Sequence, residues 1–317
     1  MEDLTDHAQA AAIRRIERWW AKMLPYLLLS LAILAWSGNW VIARGMRHEI
    51  GPVAMGFWRW CLALLLILPF CREELRLKWN VVRQNWWRMT LLGILGAVAF
   101  NTMIYVGLQY SRSTDSTLFN SIVPIYIVVI SWLIFGERIS RRQGLGITLS
   151  LTGVLVIVSR GHLSSLLEMN INVGEIWILV AMLLWSIYTV LLRWRPPELS
   201  AVAFLTAMLL FSLPALLPIY AWELHQRGGF ELSSSTVLTL AYYATVPSVT
   251  AYLMWNRGVA QVGANRAGLM SHLMPIFTVA LSVVFLGEQV YAFHFLGALC
   301  VFGGIALTTS NSAEVRH

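Results

Sequence analysis

Long apolar stretches follow one another along the whole chain, separated by short polar segments. Each stretch is about 18–23 residues long, enough for one helix to cross roughly 30 Å of hydrocarbon. The pattern predicts ten such helices, at residues 24–44, 52–71, 88–109, 113–135, 141–158, 174–193, 199–221, 237–256, 266–286 and 290–309. Because no connection exceeds about 20 residues, the chain has no room for a soluble catalytic or nucleotide-binding domain.

The second half of the chain repeats the first. Pro124 and Pro275 are 151 positions apart, and so are Glu137 and Glu288. Five helices are an odd number, so a second copy of five would cross the membrane upside down, as in many secondary transporters. The sequence therefore predicts an all-α integral membrane protein of ten transmembrane helices, arranged as two inverted five-helix repeats.

Composition and charge agree with this architecture. The residues are 58% hydrophobic and 12% charged, which no ordinary soluble domain of 317 residues shows. The net charge of +7 would suggest nucleic acid only if the fold were ignored, because 17 of the 23 Lys and Arg residues lie in the tails and even-numbered loops. The positive-inside rule then predicts that both termini are cytoplasmic.

The predicted organisation has five parts. They are an N-terminal cytoplasmic amphipathic segment (1–23), a first repeat (24–158), an extracytoplasmic linker (159–173), a second repeat (174–309) and a cytoplasmic tail (310–317). Residues 8–22 and 72–88 mix Trp and Leu or Ile with basic side chains, which predicts helices lying on the inner leaflet against anionic lipid.

Polar and aromatic side chains inside the spans are the candidates for a substrate site, since polar groups in hydrocarbon need partners or a water-filled cavity. The alternative for each is helix–helix hydrogen bonding or anchoring at the interface. The candidates are Trp36, Asn39, Trp40, Asn101, Tyr105, Asn120, Trp185, Tyr188, Tyr252, Trp255, Ser271 and His272.

Prolines, glycines and the segment around Glu137 predict where helices kink, begin and pack closely. Pro124 and Pro275 remove a backbone hydrogen bond within a span, so they are candidate hinges or fixed kinks. Ser140-x-x-Gln143 predicts a capping box at the start of the fifth helix, and Glu137 before it an anchoring role. Close helix packing is predicted at glycines 93, 96, 146, 153, 297, 303 and 304.

Few groups in the spans could carry charge. All sixteen acidic residues lie in tails, loops or span ends, and Arg59 is the basic residue within a span. Arg59 is expected to extend toward the outer mouth, or to pair there with a carbonyl or an acid, in preference to binding a substrate carboxylate. His272 is the candidate for sensing protons. The seven histidines show no metal-ligand spacing, and no nucleophile–base pair is suggested, so we expect no metal, cofactor or catalytic residue.

The repeated Pro and Gly-Glu segments, with Gln143, Gly146 and Gly153 and their counterparts Gly297 and Gly304, resemble the EamA family of the drug/metabolite transporter superfamily. The Trp-Ser-x(6)-Arg stretches at 36–44 and 185–193 and Arg59 strengthen the resemblance. Within this superfamily the length and Trp-rich helices look most like bacterial YddG-type exporters of amino acids. The resemblance implies a bacterial inner-membrane transporter whose partners are a small-molecule substrate and the bilayer, with no obligate protein partner.

Three functions stay open at this point. The first is export of small neutral or zwitterionic metabolites, amino acids including aromatic ones above all, by alternating access through a central cavity. The second is proton-coupled drug or amine efflux through His272. The third, from a different class, is a membrane enzyme acting on lipids, which would need a cluster of reactive side chains near one membrane face.

Overall fold

The computed structural model describes residues 2–110, 119–159, 161, 172–286 and 289–309. Within these ranges the chain forms helices and no strand, which confirms the predicted all-helical class. The predicted turn at Glu288, most of the linker and the C-terminal tail lie outside the described residues.

The helices are numbered here in chain order. They are α1 Glu2–Gly45, α2 Pro52–Leu77, α3 Trp79–Gln84, α4 Trp86–Tyr110, α5 Val123–Phe135, α6 Arg141–Val158, α7 Val173–Leu191, α8 Ala201–Arg227, α9 Ser234–Val262, α10 Ala264–Met270, α11 Leu273–Leu286 and α12 Ala292–Thr309. Each of α4 and α9 contains a π-helical segment, at Ile94–Ala99 and Ala244–Thr250 respectively.

Eight helices in the described part of the chain are long and apolar enough to cross a membrane, with α10 and α11 counted as one. Helix α5 is apolar but shorter, and the beginning of its predicted span lies outside the described residues. Helix α6 matches its predicted span but is not among the eight, since its first turn carries Arg141 and Arg142. The count of ten spans therefore stays a prediction.

The N-terminal segment joins the first span without a break. Residues 8–22 were expected to form a helix lying on the inner leaflet; they are helical, but they continue directly into the first span, since α1 runs from Glu2 to Gly45. Their position on the membrane surface stays a prediction. No glycine or proline lies between Ile13 and Met23, so the local sequence does not end the helix there. Pro25 falls inside α1, where a proline kinks a helix more readily than it ends one.

Equivalent helices of the two halves pack against each other in opposite directions. The most extensive helix contacts join α6 to α12 and α2 to α8, the fifth and second helices of each predicted repeat. Other contacts come in matched sets, α4 with α7 and α1 with α9, or α5 with α7 and α1 with α11. Antiparallel packing of equivalent helices is what inverted copies produce.

The approach of α6 to α12 depends on glycine. A methyl group on Gly153 would lie 2.5 Å from the carbonyl oxygen of Gly297, and one on Gly297 would lie 2.6 Å from that of Gly153. Gly146 and Gly304 stand in the same mutual relation. Backbone atoms cannot rotate away as a side chain can, so the predicted packing role is confirmed at these four positions, and α6 and α12 run antiparallel.

Two glutamates join α2 and α8 at their opposite ends. Glu223, buried near the end of α8, accepts the backbone N–H groups of Val53 at 3.1 Å and Ala54 at 2.7 Å at the start of α2. Glu74, near the end of α2, accepts the backbone N–H of Ser200 at 2.8 Å and its hydroxyl at 2.5 Å. Free N–H groups and the positive end of the helix dipole favour a carboxylate there. Each helix is thus capped by a glutamate of its antiparallel partner.

The prolines lie just after interruptions in their helices. A turn at residues 121–122 precedes α5, and a turn at 271–272 separates α10 from α11. Pro124 and Pro275 fall in the first turn of α5 and α11, where a missing N–H group costs nothing. A kink within a continuous helix was expected at each proline, but the structure instead shows a break in the helix just before it. The role of the prolines as hinges stays a prediction.

The glycine contact gives the first test. Gly153→Ala should lower the free energy of unfolding by about 1–3 kcal/mol, because the methyl group forces two backbones apart. Gly303→Ala is the matched control on α12, since a methyl group there would make ordinary contact with Leu149 at 3.5 Å. Gly303 was predicted to permit close packing, and this is the one of the predicted glycines at which the structure shows no close approach. Thermal midpoints in detergent should fall for the first variant alone. Equal midpoints would contradict the packing argument.

The glutamate caps give the second. Glu223→Gln should destabilise the protein by about 1–2 kcal/mol, because a neutral amide accepts two backbone N–H groups at a helix start less well than a carboxylate. Glu231→Gln, which changes an exposed glutamate on the same side of the molecule, is the control. The thermal midpoint should fall only in the first variant, and an unchanged midpoint there would show that the cap contributes nothing.

Candidate functional site

A buried guanidinium lies where α2, α4 and α9 meet. Arg59 of α2 is 0% exposed. Its Nε donates to the Ser248 hydroxyl at 2.5 Å, and Nη1 donates to Asn101 Oδ1 at 2.8 Å and to the Tyr105 hydroxyl at 2.6 Å. Nη2 donates to the Pro247 carbonyl at 2.9 Å. The expectation that Arg59 extends toward the outer mouth is therefore corrected, while pairing with a carbonyl is observed.

Aromatic faces and neutral dipoles stabilise this cation. The Arg59 Cζ atom lies 4.9 Å from the ring centroid of Trp60 and 5.9 Å from that of Tyr243. In the part of the chain that the structure describes, the ion pairs Lys78–Glu74 and Arg193–Glu137 both lie at helix ends, and neither involves Arg59. Hydrogen bonds to uncharged acceptors thus stabilise the Arg59 guanidinium in the interior.

The two π-helical segments supply carbonyl oxygens to this centre. The Pro247 carbonyl accepts from Trp36 Nε1 at 2.9 Å as well as from Arg59. In the equivalent segment of α4, the Ala97 carbonyl accepts from Trp60 Nε1 at 3.1 Å and from Asn101 Nδ2 at 3.0 Å. A π turn breaks the regular helical bonding, frees carbonyls for side chains and often marks a functional site.

Each half contains a hydrogen-bonded pair of one asparagine and one tyrosine, but the two residue types occupy opposite positions in the two halves. In the first half the Tyr105 hydroxyl donates to Asn39 Oδ1 at 3.4 Å, with Asn39 on α1. In the second half the Tyr188 hydroxyl donates to Asn256 Oδ1 at 2.8 Å, with the tyrosine on the first helix. Asn101 Nδ2 then donates to the Tyr252 hydroxyl at 3.1 Å, and that hydroxyl donates to the Gly96 carbonyl.

Aromatic rings from both halves form a cluster beside this network. The Trp36 and Trp185 ring centroids lie 4.9 Å apart at an interplanar angle of 84°, an edge-to-face contact. Trp255 lies 5.4 Å from Trp36 and 5.5 Å from Trp185. Tyr252 lies 5.6 Å from each of those two tryptophans, and Tyr188 lies 5.1 Å from Trp185. We call Trp36, Trp185, Tyr188, Tyr252 and Trp255 the aromatic cluster.

Three buried polar atoms, on a cluster residue and on chain neighbours of cluster residues, have no hydrogen-bond partner among the described residues. They are Trp255 Nε1, the side-chain nitrogen of Asn256 and the hydroxyl of Thr189. Their residues are at most 3% exposed. A buried donor without an acceptor costs about 1–3 kcal/mol, so such groups call for an explanation, and two of these three can only donate. The arrangement suits a bound group that carries acceptor oxygens.

Three other candidate residues meet at the interrupted helices. Asn120 Nδ2 donates to the Ser271 carbonyl at 3.1 Å, and His272 Nε2 lies 3.0 Å from the Ser121 carbonyl. His272 Nδ1 lies 2.6 Å from the Ser150 hydroxyl. Because a carbonyl can only accept, Nε2 carries the proton. Each break is therefore bridged by a side chain from the other half.

The structure thus divides the predicted site residues between two places. The network and aromatic cluster bring together Trp36, Asn39, Asn101, Tyr105, Trp185, Tyr188, Tyr252 and Trp255, while the crossing of the broken helices holds Asn120, Ser271 and His272. Trp40 is buried but makes none of the cluster's ring contacts in the described part of the chain. Arg59 is the central residue that sequence reasoning placed elsewhere, although a lone arginine in a span without an acid could have indicated it.

Comparisons with known proteins agree with this architecture. The profile of the EamA-like transporter family matches residues 23–159 and 172–310. An uncharacterised transporter of Bacillus subtilis (strain 168), YetK, is 28% identical over 292 residues, which cover 90% of this chain and 87% of that protein. A Salmonella typhimurium protein named "Probable amino-acid metabolite efflux pump" is 21% identical over 288 residues, covering 88% of this chain and 92% of its own.

A solved structure has the same fold. A chain titled "Crystal structure of protein" superposes with a TM-score of 0.72, covering 92% of this chain and 99% of its own. Its sequence is 18% identical, so it shows the fold alone.

The Arg59 network gives the third test. Arg59→Lys should lower the free energy of unfolding by about 3 kcal/mol, because an ammonium group cannot reach four acceptors spread over the fork of a guanidinium. The matched control is Arg83→Lys at an exposed position of α3. The thermal midpoint in detergent should fall for Arg59→Lys alone, and equal midpoints would refute the central role of the fork.

Proposed function

The chain belongs to the EamA-like transporter family, and on that premise we propose that it exports small neutral or zwitterionic metabolites, above all amino acids including aromatic ones, by alternating access. It is a multi-pass membrane protein of a transporter family, and relatives by sequence are named as transporters. The finer points of substrate and mechanism rest on the site.

The aromatic cluster with its unpartnered donors is the observation that carries the proposal. Trp255 Nε1 and the side-chain nitrogen of Asn256 can donate to the oxygens of a substrate carboxylate. The faces of Trp36, Trp185 and Tyr252 can hold an ammonium group by cation–π attraction or stack with an aromatic side chain. An α-amino acid presents both groups on one small molecule.

The charges near the cluster disfavour strongly charged substrates. Arg59 is the cation of the network, and its hydrogen bonds already go to four protein acceptors. A nucleotide sugar would need further arginines, lysines or helix starts to bind its phosphates. A zwitterion needs no net compensating charge, so it suits a site of neutral donors and aromatic rings.

The proposed topology is ten transmembrane helices in two inverted repeats of five. The antiparallel packing of α2 with α8 and of α6 with α12 supports it, as do the matched breaks before Pro124 and Pro275. These breaks are the proposed hinges of alternating access, because half of each span could swing without breaking a continuous helix. Both termini would lie in the cytoplasm of a bacterial cell, with the protein in its inner membrane.

Proton-coupled efflux of amines is the second candidate, and the position of His272 favours it. This residue is 0% exposed and bridges both interrupted helices to α6 through Ser121 and Ser150. Protonation would leave the contact to the Ser121 carbonyl in place but would force Nδ1 to donate to the Ser150 hydroxyl. A proton could thus change the crossing of the two halves.

The fourth prediction concerns exchange of labelled amino acids by the purified protein in liposomes with no imposed ion gradient. Trp36→Ala and Trp185→Ala should each slow exchange about tenfold or more, equivalent to about 1.4 kcal/mol, because each removes a wall of the aromatic cluster. The matched control is Trp222→Ala, since Trp222 is 64% exposed on the outer surface of α8. All three variants should reach the membrane in folded form.

Three outcomes separate the alternatives. Saturable exchange that aromatic amino acids compete with would support amino-acid export without obligatory coupling. Movement that appears only under a proton gradient, and loses its pH dependence in His272→Ala, would favour the amine exporter. Full exchange in both tryptophan variants would refute the aromatic cluster as the substrate site.

A further inference from the structure

A polar cleft lies where α4 begins and the loop after α7 passes, a few residues beyond Tyr188 of the aromatic cluster. It has a volume of about 310 Å³ and is lined by Asn85, Arg88, Arg193, Trp194 and Arg195, with Glu198 among the remaining lining residues. It lies at the face predicted to be cytoplasmic. Three guanidinium groups against one carboxylate give the cleft a positive charge, which favours anions.

Two of these arginines are held in place but keep a free donor. Arg88 Nη1 donates to Asn85 Oδ1 at 3.1 Å, and Arg195 Nη2 donates to the Leu199 carbonyl at 2.9 Å. The Nε atom of each is buried and has no hydrogen-bond partner in the described ranges. A buried guanidinium N–H without an acceptor is costly, so both groups point to a ligand with acceptor oxygens.

Neither Arg88 nor Arg195 forms a direct ion pair among the described residues, although Glu74 attracts Arg195 from a greater distance. Arg193 forms an ion pair with Glu137 at 2.7 Å, so it is partly neutralised. Neither Arg88 nor Arg195 lies within ion-pair distance of a carboxylate in the part of the chain that the structure describes. Burial lowers the pKa of Arg195, which reflects the cost of desolvating its charge. A bound anion would offset that cost.

One tryptophan, Trp194, lines the cleft, and a second, Trp87, packs beside it. The Trp87 and Trp194 ring centroids lie 5.9 Å apart, and the Arg88 Cζ atom lies 5.3 Å from the Trp87 centroid. Trp79, Trp86 and Trp87 are exposed on or beside the short helix α3. Such rings occupy the headgroup region of a bilayer, where the phosphates of lipids lie. A lipid therefore reaches this cleft more readily than a soluble anion does.

We propose that this cleft binds the phosphate group of an anionic phospholipid, held by Arg88 and Arg195 with the acyl chains against the exposed tryptophans. The planar fork of arginine matches phosphate oxygens, and two forks from different elements can enclose one phosphate. A headgroup bound there would tie the start of α4 to the loop between α7 and α8. The site is independent of the identity of the transported substrate.

The fifth prediction is tested on detergent-purified full-length protein. Phosphatidylglycerol should raise the thermal midpoint and remain bound in native mass spectrometry, whereas phosphatidylcholine and inorganic phosphate at equal phosphorus concentration should do neither. Arg88→Gln/Arg195→Gln should weaken phosphatidylglycerol binding about tenfold or more, because two charge-assisted contacts are lost. Arg76→Gln/Arg83→Gln is the matched control, which removes two exposed arginines at the same face and should bind as the unaltered protein does.

The single variants Arg88→Gln and Arg195→Gln keep the test decisive if the double variant does not fold, and each should bind phosphatidylglycerol more weakly than the control pair. An equal response to phosphatidylcholine would overturn the proposal, as would unchanged binding in the single variants. The same stabilisation by inorganic phosphate alone would show that the cleft takes a soluble anion, and would overturn the lipid as its occupant.

Discussion

The described interior of this protein is organised around the positive charge of Arg59. Arg59 is fully buried, and its hydrogen bonds reach a serine, an asparagine, a tyrosine and a backbone carbonyl on two neighbouring helices. A cation removed from water without a counter-ion is stable only if fixed dipoles surround it. The π-helical segment that exposes the Pro247 carbonyl follows from this requirement, since a regular helix would keep that oxygen for its own backbone.

Elsewhere the two halves stabilise each other by reciprocal contacts. Glu74 caps α8 as Glu223 caps α2, and glycine backbones of α6 and α12 meet at two levels. Side chains of Asn120 and His272 bridge the break in the opposite half. Because the caps, the glycine contacts and the bridges each join one half to the other, neither half is complete alone. This is a suitable basis for two related conformations, because the same contacts exist on either side of the centre.

Arg59 is the clearest departure from this symmetry. The equivalent position in α8, 149 residues later, is Met208, which is also buried. The aromatic cluster draws on both halves, with Trp36 from the first and Trp185 and Trp255 from the second, but its unpartnered donors all belong to the second half. A small asymmetric substrate such as an amino acid needs different groups on its two sides. An imperfect repeat can supply them where a perfect one could not.

The sequence by itself determined the helical membrane class, the two copies, the capping box at Ser140 and most residues of the central network, because hydrophobic length, repeat spacing and polar residues inside spans are local signals. It did not predict that Arg59 lies at the centre, or that the helices are interrupted just before Pro124 and Pro275. It also did not predict that Asn120 and His272 lie apart from the aromatic cluster. Those outcomes depend on which carbonyls are free and which helices face each other. Only the tertiary structure decided them, since a buried polar group is stabilised by partners that lie 42 to 189 positions away in the chain, as the contacts of Arg59 show.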